Sequence, residues 1–222
     1  MATFRKVFAS SIGTKLIIGL TGLALFAYLV LHLAGNLLFF LGTDIFNGYS
    51  HTLISNQLII PIELGLAVIF IIHVYKTLTM WFENQRARPI AYQRKRWANH
   101  TSRKSIGSTT MVYTGLFTLL FVVIHLKQFK FGVEYLTAGG GGIRDLYRLE
   151  REVFSNAAWV AVYAAGMILI FFHLRHGVSS ACQSLGLEHP RYTRRLLLAG
   201  LLGAIIVAGG LGFIPVWVYF TR

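Results

Sequence analysis

Five stretches of this chain are apolar for about 20 residues, the length a helix needs to cross the hydrocarbon core of a bilayer. They run from about Leu16 to Leu41, Leu58 to Phe82, Ile106 to Leu126, Ala157 to Phe172 and Leu196 to Phe220. The third continues to about residue 130, and the fourth has a polar continuation to about Cys182. Backbone in lipid must satisfy its own polar groups, so spanning segments of this length fold as helices. The expected architecture is all-α: one integral membrane bundle of five transmembrane helices over residues 1–222, with spans of about 16–41, 58–82, 106–130, 157–182 and 196–220. The first run is too long for the apolar region of a cleaved signal peptide, and no small-residue cleavage site follows it. It reads as a permanent span. No internal repeat and no separable soluble domain is evident.

The chain is greasy and basic at once. It is 55% hydrophobic and only 13% charged, yet carries a formal net charge of +13. In a soluble chain that excess points to nucleic acid; in a membrane chain it reports topology first. With five spans, the N-terminal tail, the loop Glu83–Lys104 and the loop Gln183–Arg195 share one side, and 15 of the 21 Lys and Arg fall there against 6 on the other. The N-terminus is therefore expected in the cytoplasm and the C-terminus outside, with no nucleic-acid partner. On the outer side, Thr137–Gly142 reads as a flexible turn. Ile143–Phe154 reads as a short amphipathic helix on the membrane surface.

One cysteine, Cys182, excludes an internal disulfide framework and thiolate clusters. The histidines carry more information. His32, His73, His125 and His173 fall one per span over the first four spans, with His176 one turn beyond His173. Ionisable groups inside spans mark function by default; the plain alternative for each is a helix-to-helix hydrogen bond. Depth sorts the four into pairs. His73 and His173 each lie about 9 residues, or ~14 Å, from the cytoplasmic end of their helices. His32 lies a similar distance from the outer end of its own helix, and His125 matches it if the third helix runs on past Lys127 and Lys130. His32 and His125 then share the outer half, and His73 and His173 the inner half. Two imidazoles facing across a bundle suit the axial positions of a haem iron that transfers electrons. His176 competes with His173 for that role. Gly35 and Asn36 near His32, and Gly166 and Gly177 near His173, offer space for a flat cofactor, or simply pack helices. His51, His100 and His189 fall in loops.

The ordered set of motifs resembles the di-haem cytochrome b membrane anchor of succinate:quinone oxidoreductases, the succinate dehydrogenase and fumarate reductase family. It is carried by His32-Leu-Ala-Gly-Asn36 in span one and by Glu63 followed ten residues later by His73 in span two. Span three has Thr114-Gly115 with His125 ten residues after the glycine. Span four has His173-Leu-Arg-His-Gly177, followed by Ser184-Leu-Gly186. The likeness extends over nearly the whole chain in span count and order. It implies two b haems, on His32/His125 and His73/His173, with the first histidine of the span-four motif as ligand. It also implies a flavoprotein and an iron–sulfur subunit docked on the cytoplasmic face of a bacterial inner membrane. Succinate chemistry then lies on those subunits. This chain has no catalytic residue of its own and passes electrons to or from a quinone, commonly menaquinone.

The haem propionates need cationic or hydroxyl partners, for which Arg103, Lys104, Arg175 and Ser108 are the inner candidates. Quinone candidates are Ser10, Ser11, Lys15, Ser105 and Ser108 on the inner side, and Asp44, Asn47 and His51 on the outer. Serines at helix starts also serve as caps. Glu63 reads as an interfacial acid or a proton relay. The basic loop Glu83–Lys104 is the candidate docking surface for the iron–sulfur subunit, or a contact for anionic lipid. Two rival readings remain: the cytochrome b subunit of another respiratory dehydrogenase, such as a hydrogenase or formate dehydrogenase, and a haem-free transporter or scaffold whose histidines relay protons.

Overall fold

The computed structural model describes residues 10–87, 106–137 and 142–221, with only the backbone described at 106–109. The described residues are helical throughout apart from turns and a single bridge between Leu136 and Arg144. Helix α1 is Ser11–Leu37, prolonged by a 3-10 turn over Leu38–Leu41. The others are α2 Thr43–Ser55, α3 Ile59–Arg86, α4 Ile106–His125, α5 Leu146–Phe154, α6 Ala157–Ser184 and α7 Thr193–Phe220. Five are long and apolar enough to cross a membrane: α1 with its 3-10 turn, α3, α4 with its extension, α6 and α7. They coincide with the five expected spans to within a few residues. The fourth keeps its polar last turns, ending at Ser184.

Local chemistry sets the boundaries. The Ser10 hydroxyl caps α1 by accepting from Gly13 N at 3.1 Å. Gly42, at φ 102°, adopts a backbone that other residues resist and turns the chain from span one into α2. Asn56 accepts from Leu58 N ahead of α3, and Asn156 from Ala158 N at the start of α6. Span three ends on a π-helical turn over Leu126–Lys130, placed directly after His125. Such turns recur at functional sites, because the added residue re-aims the side chains that follow.

Helices α1, α3, α4 and α6 stand as the corners of a square. α1 packs on α3 and on α6, and α4 packs on α6. The fourth side, between α3 and α4, is nearly open, and neither diagonal has close helix packing. α7 lies outside the square, against α6 and α1. Its glycines let side chains in: Gly203 sits against Phe26, Gly210 against Leu33 and Gly212 against Met167. Ala204, Val207 and Ala208 complete that seam with Met167, Ile170 and Leu174. α3 has no buried residue, and large apolar side chains such as Leu31, Ile60 and Leu64 are exposed. In water that surface would associate; lipid covers it.

Two short helices close the end opposite the N-terminus, here the far end. One is α5, beginning three residues later than Ile143, where the Asp145 carboxylate caps Arg148 N. It is docked rather than lying free: Leu149, Glu150 and Phe154 are buried. The other is α2, in a stretch read from sequence as loop. Asn47 joins the two, donating to Asp145 Oδ1 at 2.8 Å and accepting from Tyr147 N at 3.0 Å. Beneath them Phe39, Phe46, Phe154, Tyr163, Ile214 and Val218 form a core cluster.

Candidate functional site

Four histidines project into the square, and the hydroxyl chemistry around them is specific. His73, on α3, faces α1. Its Nδ1 lies 3.0 Å from Thr21 Oγ1, and a Cβ on Gly22 would stand 3.2 Å from its Cε1. Thr21 has one hydroxyl proton, and it is given to backbone carbonyls, that of Ile17 at 2.7 Å and that of Ile18 at 3.2 Å. The oxygen can then only accept from the imidazole. With its proton on Nδ1 given to that oxygen, the ring has Nε2 as its nitrogen for a metal.

His173, on α6, repeats the arrangement against α4. Its Nδ1 is 3.4 Å from Thr114 Oγ1, whose proton goes to the Met111 carbonyl at 3.0 Å. A Cβ on Gly115 would meet the His173 ring at 3.3 Å. A Thr-Gly pair thus backs each imidazole, once from span one and once from span three. His73 and His173 occupy opposite corners of the square, on α3 and α6.

The other diagonal carries His32 on α1 and His125 on α4, nearer the far end. Their ring centres are 5.8 Å apart and their planes 89° apart. His125 Nδ1 lies 3.4 Å from the Tyr163 hydroxyl, which donates to Gln128 Oε1 at 2.7 Å. The arrangement again places an oxygen at Nδ1 and leaves Nε2 as the nitrogen for a metal. Rings crowd this level: Phe121, Phe129 and Tyr163 surround His125, and Tyr28 stacks on His32 at 5.6 Å. His32 has no hydroxyl partner among the described residues.

Donors therefore come in twos. No cluster of three or more His, Cys, Asp or Glu side chains able to hold a metal occurs among the described residues. A bare zinc site needs at least three protein ligands. Two imidazoles are sufficient only for an ion whose other positions are already filled, as in a macrocycle. For His32 and His125 the spacing fits: an imidazole nitrogen sits about 2 Å from a first-row metal and about 1 Å from its ring centre, so two axial rings stand about 6 Å apart. An Nδ1–H bonded to a neighbouring oxygen is also how ligating histidines are oriented.

The remaining sequence candidates fall as follows. His176 is on the same face as His173, one turn further along α6, and is partly buried. Arg175 is exposed and turned about 200° from His173 around the helix. Arg103, Lys104, Ser105, His100 and the basic loop beyond Ala87 lie outside the described residues, as does the side chain of Ser108. Ser10 is a helix cap and Asn47 a brace between helices. His51 lies exposed on α2, and His189 stacks on Tyr192. Glu63 is paired with Lys130 across the far end of spans two and three. Gly35 packs against Tyr49 and Gly166 against Phe121, so the glycines that face the imidazoles are others, Gly22 and Gly115.

Thr21, Gly22, Tyr163 and Gln128 are the site residues that sequence reading missed. A signal for the first two was present. Thr-Gly followed ten residues after the glycine by histidine occurs twice, as Thr21-Gly22 with His32 and Thr114-Gly115 with His125. Spans one–two and three–four each form a hairpin with this motif on the first helix and His73 or His173 on the second, span four carrying His176 as well. Around His73 and His173 the bundle uses this motif twice.

These features define an all-helical membrane bundle of five spans with two diagonal histidine pairs. No protein-family model, curated protein or solved structure matches the chain.

Proposed function

We propose that this chain is a di-haem cytochrome b, the membrane-anchor subunit of a succinate:quinone oxidoreductase. One observation carries the reading: two pairs of imidazoles lie on the two diagonals of one four-helix square, three of the four with Nδ1 against a hydroxyl oxygen. His73 and His173 would hold one haem, and His32 and His125 the other. Haem iron with both axial positions filled by imidazole exchanges single electrons and leaves no position for oxygen. Thr21, Thr114 and Tyr163 orient the ligands and fix their tautomers. Gly22 and Gly115 keep the backbone close to the rings, and α7 with the far-end cap excludes water.

The excess of Lys and Arg at the end holding the N-terminus supports a cytoplasmic orientation for that end, in a bacterial inner membrane. The same charge suits docking of an iron–sulfur subunit that receives electrons from a flavoprotein, with a quinone, commonly menaquinone, as the membrane-side partner. Succinate chemistry belongs to those soluble subunits.

The test is the absorption spectrum of the protein purified from its native membrane. The expected result is a reduced-minus-oxidised b-type signal equivalent to two haems per chain. A colourless, haem-free native preparation overturns the reading. Co-purification with a flavoprotein and an iron–sulfur protein that oxidise succinate separates this enzyme from other respiratory dehydrogenases.

A further inference from the structure

Arg144 lies in the crossing between α4 and α5, paired in the short antiparallel bridge with Leu136. That bridge is held by Thr137 N donating to Ile143 O at 2.9 Å and Asp145 N donating to Tyr135 O at 2.7 Å. The side chain reaches back to the end of span three, where Nη1 donates to the Lys130 carbonyl at 3.4 Å. Its Nε and Nη2 are buried and have no hydrogen-bond partner among the described residues.

A guanidinium stays charged at any ordinary pH, and burying its N–H groups without an acceptor is costly. Of the acids near it, none accepts from these two groups. Glu63 is paired with Lys130, and Asp145 Oδ1 accepts from Asn47 and from Arg148 N. The two orphaned groups are also a particular two. Nε–H and Nη2–H lie on one edge of the planar fork and point the same way, matching the two oxygens of a carboxylate. Lys130, which anchors the fork, is five residues beyond His125 on the same helix, about 7 Å along its axis.

We infer that the Nε/Nη2 edge of Arg144 binds a carboxylate the chain does not itself supply, a propionate of the haem held by His32 and His125. This rests on the di-haem reading above. A phospholipid phosphate offers the same oxyanion chemistry, and the test separates the two sources.

The solubilised complex is prepared unaltered, as Arg144→Gln and as Arg144→Lys, and haem content, bound phospholipid and the midpoint of each haem are measured. Losing a fixed cation beside a haem disfavours its reduced form. In Arg144→Gln the haem that His125 variants lose is expected to show at least a tenfold lower reduced-to-oxidised ratio at fixed potential, about 59 mV for one electron. Arg144→Lys, which keeps the charge and loses the fork, shifts less, and the second haem is unmoved in both. Selective loss of the far-end haem in Arg144→Gln, with retention in Arg144→Lys, also supports the assignment. Two haems with unchanged midpoints in both variants overturn it. Unchanged midpoints with a loss of bound phospholipid overturn it in favour of a lipid phosphate. An unaltered protein without haem fails the di-haem reading first, and this inference falls with it.

Discussion

The two ends of the square solve one problem with different materials. Near the N-terminal end, His73 and His173 are each backed by a threonine hydroxyl and a neighbouring glycine, the same device used twice. Near the far end, His125 is held by a tyrosine and enclosed by aromatic rings, while His32 has ring contacts with Tyr28 and His125. The first pair is symmetric and polar-backed; the second is asymmetric and ring-packed. An N–H bonded to oxygen makes an imidazole a stronger donor to a metal. The two proposed haems therefore differ in ligand strength although every axial ligand is histidine. The far end also has Glu63 paired with Lys130 and the partly buried Arg144, whereas His173 at the other end has a second histidine, His176, one turn away on its own helix.

The harshest way to break this comparison is to remove ligands. His73→Ala and His173→Ala should each eliminate the same haem, and His32→Ala and His125→Ala the other, counted in optical spectra of membranes. Loss of one shared haem by the His32 and His73 variants would refute the diagonal pairing. Next come the hydroxyls. Thr21→Val, Thr114→Val and Tyr163→Phe leave an imidazole N–H without its acceptor, costing about 1–3 kcal/mol. A 10–100-fold weakening of haem retention under detergent dilution is expected, as for other groups that orient metal ligands. The threonine variants should affect one haem, and Tyr163→Phe the other.

Smaller effects sharpen the contrast. A methyl at Gly22 or Gly115 would press on an imidazole at 3.2 or 3.3 Å, so the ring must give by a few tenths of an ångström. Alanine at either position should lower the thermal midpoint of the haem-bound protein and shift one haem's spectrum. Gly65→Ala in α3, where a Cβ meets nothing within 4 Å, should be neutral or slightly stabilising through helix propensity.

The last test concerns the cap at the far end. Burial pushes the Glu150 carboxyl up from 4.5 to about 8. The folded chain then holds a proton that the unfolded chain has already released. Stability from this group is complete below about pH 4.5 and is lost as pH rises through about 8, at no more than about 1.4 kcal/mol per pH unit. Thermal melts between pH 5 and 9 should show the midpoint falling over that window, and Glu150→Gln should flatten the slope. An equal slope in both proteins would place the titration elsewhere.

The spans were legible because their signal is local. Twenty apolar residues in a row admit few other structures, and a Gly or an Asn at a boundary acts within its own turn. α2 was not legible: Thr43–Ser55 carries polar and apolar residues mixed with glycine, and it becomes a helix where Asn47 and Phe46 find partners on α5 and in the aromatic core. Gly35 and Gly166 lie on the correct helix faces by spacing, but a face does not name its neighbour. Tyr49 and Phe121 took those positions.

By itself the sequence determined five spans, histidines on each of the first four (two on the fourth) and the depth of each along its own helix. These follow from hydrophobic length and a fixed rise per residue. Only the tertiary structure decided which helices stand diagonally, that Thr21 and Thr114 place an oxygen at Nδ1 of His73 and His173, and that two N–H groups of Arg144 are left unpaired. Those outcomes depend on how far apart atoms of different helices end, and no periodicity along one chain encodes a distance across the bundle.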